Sequence, residues 1–154
     1  MSNTYSQIYL HIVFAVKFRR RQIHKDWKEQ LYKYICGTVN NKDEKIFAIN
    51  GVSDHIHILI SIKPITNVSN LVRDIKVNST KWINGQKLVS GRFAWQEGFG
   101  AFSVSRSQLD KVIGYIDKQE AHHQKVSFKK EYIAFLKKHE VEFDEKYLFD
   151  WFED

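Results

Sequence analysis

The order in which hydrophobic periodicity changes along this chain restricts its fold more than any other feature. From Ser6 to Lys17, Ile8, Leu10, Ile12, Phe14 and Val16 lie on one side and Gln7, Tyr9, His11 and Lys17 on the other. Period two over that length is the pattern of a strand. Lys25 to about Asn40 predicts a helix, with Trp27, Leu31, Tyr34 and Ile35 near one face. Two β-rich runs follow, Ile46–Ile49 and Val52–Ile62, and Asn50-Gly51 between them predicts a hairpin turn. Asn67 to Ile83 returns to helical spacing through Val68, Leu71, Val72, Ile75, Trp82 and Ile83. Ala101 to Ser105 predicts a short strand behind Gly98 and Gly100. Ser107 to about His123 predicts a helix opened by a capping-box-like Ser107 and Asp110. Phe128 to His139 predicts one more. The sum is an α+β chain: a ferredoxin-like βαββαβ antiparallel sheet with helices on one face, plus additional C-terminal helices. Many activities use that arrangement, so function has to be argued from side chains.

The chain has 154 residues and one proline, with no low-complexity stretch and no repeat, which predicts a single domain over 1–154. Its longest apolar run, Tyr9 to Val16, is too short to span a bilayer, and no N-terminal signal pattern precedes it. The lone Cys36 sits in an apolar run and suits a reducing cytoplasm better than a disulfide framework. The net charge of +6 is unevenly placed. Between Glu140 and Asp154 there are seven acids and one base, so residues 1–139 carry a net of +12. An excess of that kind on a small body suits a polyanionic partner, nucleic acid above all, although solubility alone would also account for it. The acidic tail, about 140–154, carries no motif and is assigned packing or solubility.

Within Val52–Ile62 the strand period places His55 and His57 side by side, opposite Ile56, Ile58, Ile60 and Ile62. Two imidazoles at that spacing suit a shared divalent ion, and equally suit polar filler on a half-exposed face. On the helix from Ser107, Tyr115 and Gln119 stand one turn apart on one face. Alone, Tyr115 reads as a boundary tyrosine beside the stripe Leu109, Val112, Ile113 and Ile116. Taken together, two imidazoles and an amide oxygen would hold a divalent cation with room for a phosphate. A tyrosine hydroxyl beside them could attack phosphorus.

Four segments resemble the single-tyrosine HUH transposases, which move insertion sequences as single-stranded DNA. They are the strand and basic exit His11–Arg21, the motif Asp54-His-Ile-His-Ile-Leu59, the run Trp95–Val104, and Tyr115-Ile-Asp-Lys-Gln119. The resemblance implies the same ferredoxin-like fold. It also implies metal-assisted cleavage and rejoining of single-stranded DNA through a 5′-phosphotyrosine. Tyr115 would be the nucleophile, with His55, His57 and Gln119 as ligands of Mg²⁺ or Mn²⁺. It further implies binding of hairpin-containing element ends and a homodimer with composite sites, the histidines from one chain and the tyrosine from the other. A cytoplasmic bacterial protein, on the nucleoid when bound to DNA, is expected.

For the DNA itself, Lys17, Arg19, Arg20 and Arg21 cluster where the first strand ends, and Arg73 and Lys76 lie beyond the apolar stripe of their helix. Phe18, Phe93 and Trp95 suit base stacking or core packing alike. A non-catalytic single-strand nucleic-acid-binding module on the same fold also explains charge and sheet, but gives His55, His57, Tyr115 and Gln119 no joint purpose. A replication-initiator or relaxase nickase shares the histidine motif but usually carries further domains. A phosphodiesterase with paired His-x-Ser/Thr motifs lacks its second motif here.

Overall fold

The computed structural model describes residues 3–144 and Leu148. Of the acidic tail, 145–147 and 149–154 lie outside the described residues. Four strands, β1 (Ile8–Ala15), β2 (Lys45–Val52), β3 (His55–Ile62) and β4 (Gly100–Val104), form one sheet in the order β2-β3-β1-β4. Every pairing is antiparallel. Helix α1 (Lys28–Asn40) joins β1 to β2, and α2 (Val68–Gly85) joins β3 to β4. This is the ferredoxin-like arrangement that the periodicities predict. After β4 come α3 (Leu109–Asp117), α4 (Gln119–His123) and α5 (Phe128–Lys138).

The sheet is covered on both faces. On one, Ile12, Phe14 and Val16 of β1 and Ile56, Ile58 and Ile60 of β3 pack against Leu31, Ile35 and Val39 of α1 and Leu71, Val72 and Ile75 of α2. Each fully buried aliphatic side chain there contributes about 1.5–3 kcal/mol of transfer free energy. Phe93 and Trp95 belong to this core, the Trp95 indole donating to Ser79 Oγ at 2.9 Å, so neither is a base-stacking surface. The C-terminal helices take the opposite face. Phe128, Tyr132 and Leu136 of α5 lie on Val13, Ala15 and Phe102, and Leu109 and Ile116 of α3 lie on Ala48 and Leu59.

Three local expectations are corrected. Asn50-Gly51 does not turn. β2 runs through it, Val52 pairs with His55, and Ser53-Asp54 make the reversal. Gly51 is there because a Cβ would stand 2.2 Å from the His55 carbonyl oxygen, and only glycine permits that approach. The Asn50 amide is spent on α3, donating to the Ile116 and Asp117 carbonyls at its C-terminal end at 3.0 and 3.2 Å. The helix predicted from Ser107 to His123 is broken at Lys118 (φ −99°, ψ 20°) into α3 and α4. Ser107 makes no capping box. It lies in a 3-10 turn, Arg106–Gln108, and its hydroxyl meets that of Ser105 at 3.0 Å.

The third correction concerns the basic exit of β1. Phe18 and Arg19 adopt left-handed backbone angles, φ 56° and 50°, an uncommon choice for non-glycine residues. That kink turns Arg19 inward, leaving it 2% exposed, with Nε and an Nη atom donating to Asp54 Oδ2 at 3.2 and 3.1 Å. Arg19 is therefore engaged as a structural cation and not displayed on the surface with its neighbours. Lys17, Arg20 and Arg21 stay on the surface.

Candidate active site

The β3 alternation turns His55 and His57 away from the aliphatic core, as the period predicts, but not toward water. Both are fully buried. Helix α5 closes over them: Phe128 stacks on the His55 ring at 3.8 Å, and Glu131 enters the space between the imidazoles. Ser127 starts α5 by accepting from the Lys130 amide, which sets Phe128 and Glu131 on the sheet-facing side.

One Glu131 oxygen, Oε1, lies 3.0 Å from His57 Nε2, 3.1 Å from His123 Nε2 and 3.6 Å from His55 Nε2. The other, Oε2, accepts from the Tyr115 hydroxyl, lies 3.1 Å from His122 Nε2 and 3.4 Å from Gln119 Nε2. A single carboxylate thus joins the histidine pair to the tyrosine. Gln119 is fully buried at the start of α4, and its Oε1 has no hydrogen-bond partner among the described residues. An orphaned buried acceptor of that kind is costly, and a cation would satisfy it. With ligand atoms of His55, His57, His123 and Glu131 all within 4.8 Å of one another, the donor set fits a divalent ion.

Each strand histidine is held from behind. His55 Nδ1 meets Asp54 Oδ1 at 2.7 Å, and the other oxygen of Asp54 takes Arg19. His57 Nδ1 meets His11 Nε2 at 2.8 Å across the β1–β3 pair. These contacts set charge. Burial would lift the Asp54 carboxyl, but His55 and Arg19 overcome it and hold it below the ordinary range. Burial would lower His55, yet the bonds to Asp54 and Glu131 raise it. Burial dominates at His57, which drops to about 4, and at His11, which drops to about 3. Glu131 is desolvated, but the bonds from His123, His55 and His57 keep it ionised well below the usual carboxylate range. Desolvation and the Glu131 charge push Tyr115 well above an ordinary phenol. With Glu131 unscreened, the tyrosine keeps its proton.

The chain therefore brings together four of the residues singled out from sequence: His55, His57, Tyr115 and Gln119. Tyr115 stands in its own chain's site, whereas the resemblance implies a tyrosine from a second subunit. The basic residues divide. Arg21 lines a cavity of about 420 Å³ beside the cluster, with Arg19, Asp54, His123 and Lys125. Arg73 and Lys76 line a larger, mostly apolar cavity of about 620 Å³ under α2, away from the histidines. Lys76 is engaged there, donating to the Gln96 and Gly98 carbonyls at 2.8 and 2.7 Å, and burial lowers it to about 8. It holds a loop and is poorly placed to meet phosphate.

Sequence reasoning missed His11, Asp54, His122, His123 and Glu131. His123 lies one helical turn beyond Gln119, and Glu131 is the lone acid of α5 amid lysines. Both patterns were visible, but neither says what the residue meets.

Residues 4–119 match the model of a family described as Transposase IS200 like. No curated protein sequence matches the chain. Among solved structures, a candidate transposase from Deinococcus radiodurans is similar with a TM-score of 0.62 at 16% identity, over 77% of this chain and 95% of that one. A REP-associated tyrosine transposase bound to a REP hairpin is similar with a TM-score of 0.61 at 16% identity, over 100% of this chain and 91% of the other. At such identities the likeness is one of fold. His123 and Glu131 lie beyond the residues that the family model matches.

Proposed function

The chain belongs to the IS200-like transposase family, and from that premise we propose that it cleaves and rejoins single-stranded DNA at the ends of a mobile element through Tyr115. The observation that carries this reading is the Glu131 carboxylate, which touches the Tyr115 hydroxyl with one oxygen and the His57 and His123 imidazoles with the other. A nucleophile and a set of cation ligands meet within one buried cluster. A non-catalytic binding module would have no use for that junction.

In the forward step the Tyr115 oxygen bonds to phosphorus, the P–O3′ bond breaks, and the leaving 3′ oxygen takes up a proton. The phenol proton passes to Glu131 Oε2, which already accepts the hydroxyl hydrogen bond, while His122 Nε2 stands 3.2 Å from the tyrosine oxygen. The product is a 5′-phosphotyrosine. Attack by a 3′ hydroxyl on that link reverses the step and rejoins the strand. His55, His57 and Gln119 would hold a Mg²⁺ or Mn²⁺ ion, which would supply Lewis-acid positive charge to the phosphodiester. The strand reaches the site through the cavity beside the cluster, where Arg21 and Lys125 offer positive charge to phosphates. A hairpin near the element end is the expected partner, since a structure of the same fold holds a REP hairpin. Such a single-domain DNA-acting protein is expected in the cytoplasm and on the nucleoid.

A homodimer is part of the reading, because β2 and β4 are the edge strands of the sheet, which a second copy can help to cover. The tyrosine it uses is its own, as the cis contact with Glu131 supports. Mixing His57→Ala with Tyr115→Phe under subunit exchange should leave cleavage absent. Restored cleavage would mean that the tyrosine is donated across the dimer.

The direct test is adduct formation with a hairpin-bearing oligonucleotide. Tyr115→Phe should still fold and bind DNA while losing the covalent protein–DNA band entirely. A surviving band would remove Tyr115 from the reaction.

A further inference from the structure

All three imidazoles of the cluster commit the same nitrogen. His55 Nδ1 is bonded to Asp54 Oδ1, His57 Nδ1 to His11 Nε2, and His123 Nδ1 to the Val126 carbonyl at 2.9 Å. The carboxylate and the carbonyl can only accept, so His55 and His123 carry their hydrogen at Nδ1. In the neutral ring Nε2 is then a bare lone pair. His123 Nε2 nonetheless faces Glu131 Oε1 at 3.1 Å and His55 Nε2 at 3.1 Å. Lone pairs facing one another at that distance repel unless positive charge stands between them. Protonating every ring would crowd imidazoliums around one carboxylate in a buried pocket. One divalent cation resolves all the contacts at once.

The spacing agrees. A cation about 2.0–2.1 Å from each donor sets adjacent donors roughly 2.8–3.4 Å apart, from octahedral to tetrahedral. Three of the contacts here, at 3.0, 3.1 and 3.1 Å, fall in that range, and the His55–Glu131 contact, at 3.6 Å, lies just beyond it. Histidine ligands typically carry such an acceptor behind the ring, fixing the tautomer that aims Nε2 at the metal.

We infer that this chain holds a three-histidine, one-carboxylate centre in which His123 and Glu131 are ligands alongside His55 and His57, and that the centre selects a first-row transition-metal dication over Mg²⁺. The inference rests on the proposed cation at the histidine pair, and departs from it in ligand number and ion class. Neutral imidazoles suit Zn²⁺, Co²⁺ and Mn²⁺, whereas Mg²⁺ seeks oxygen donors and keeps its waters. His123 and Glu131 come from α4 and α5, outside the matched segment, so half of the ligand set belongs to this chain's own C-terminal helices.

Titration calorimetry of the chelator-stripped full chain, without DNA, tests it. Zn²⁺ should bind most tightly, Mn²⁺ measurably and Mg²⁺ weakest. His123→Ala and Glu131→Gln should each weaken Mn²⁺ binding by at least about 10- to 100-fold, the range seen even for outer-shell losses. Unchanged Mn²⁺ affinity in both variants, with loss in His57→Ala, would overturn the inference and leave a cation at the histidine pair standing. Mg²⁺ binding as tight as Mn²⁺ would also overturn it. An absence of ion binding in the parent would sink both readings. Should a variant fail to fold, X-ray absorption of the Zn²⁺-loaded parent decides: three imidazoles support the centre, two overturn it.

Discussion

Strand β3 shows the same backbone serving two different interiors. Toward α1 and α2 it presents Ile56, Ile58 and Ile60, which pack into the aliphatic core. Toward the C-terminal helices it presents His55 and His57, equally buried, in a network of Asp54, His11, His123 and Glu131. The aliphatic side is stabilised by area removed from water and is indifferent to the detailed identity of its neighbours. The histidine side is stable only if each polar atom finds its partner, and a missing partner leaves a desolvation penalty. One interior holds the chain together. The other is a polar network that depends on every partner being met.

Adjacent substitutions should separate the two most sharply. His57→Ala should abolish strand cleavage while the chain stays folded, read as loss of nicked oligonucleotide alongside an intact thermal transition. Ile58→Ala, one residue on and facing the other way, should cost about 2–5 kcal/mol by denaturant unfolding and leave cleavage per folded molecule near the parent's. If Ile58→Ala removed activity in the folded fraction, the two interiors would not be separable.

The aliphatic interior was legible because its signal is local. Periods of two and 3.6 name the residues that share a face, and Ile12, Phe14, Ile56, Ile58, Leu71 and Ile75 are all in the core. The orientation of His55 and His57 was legible for the same reason. Their burial was not, because α5 covers them from a distance in sequence; Glu131 is 74 residues from His57. His11 stood in the alternation as a polar position, and only the β1–β3 register brings it to His57. Arg19 looked like its neighbours until two left-handed residues turned it onto Asp54. Asn50-Gly51 offered a sound turn signal that lost to a tertiary demand, closeness at Gly51 and α3 capping at Asn50.

Acid should act on one interior only. His57 falls from 6.5 to about 4 on folding and His11 to about 3, so both stay neutral in the fold while the unfolded chain takes up protons. The unfolded state then binds more protons below pH 6.5, and stability falls as pH drops toward 4. The slope is about 1.4 kcal/mol per pH unit for each proton. His55 does not offset this. Its folded value is raised, so its contribution is complete below 6.5 and is lost only as pH rises through that folded value. Denaturant midpoints at pH 7 and pH 4.5 should differ accordingly in the metal-free chain. Ile58→Ala should lower both midpoints without changing their difference. A parent stability that is flat across that window would mean that the histidine network is already open to solvent.

The smallest expected effect lies at the rim of the histidine side, where the three consecutive arginines part company. Arg20 and Arg21 remain on the surface at the exit of β1, while Arg19 is bound to Asp54 beneath Phe128. For single strands, log affinity falls against log salt by about 0.7 per phosphate contact. Replacing Arg20 and Arg21 together by Ala should therefore flatten the slope for a hairpin-bearing oligonucleotide by up to about 1.4, with cleavage at saturating DNA little changed. Arg19 should not enter that count. Its loss strips the charge partner from Asp54, and so from His55, and should appear in stability and metal affinity with the salt slope intact. Salt titrations of the double variant and of Arg19→Ala, run side by side, give that answer. A slope that flattens in Arg19→Ala would mean that the inward-turned guanidinium swings out to meet the strand.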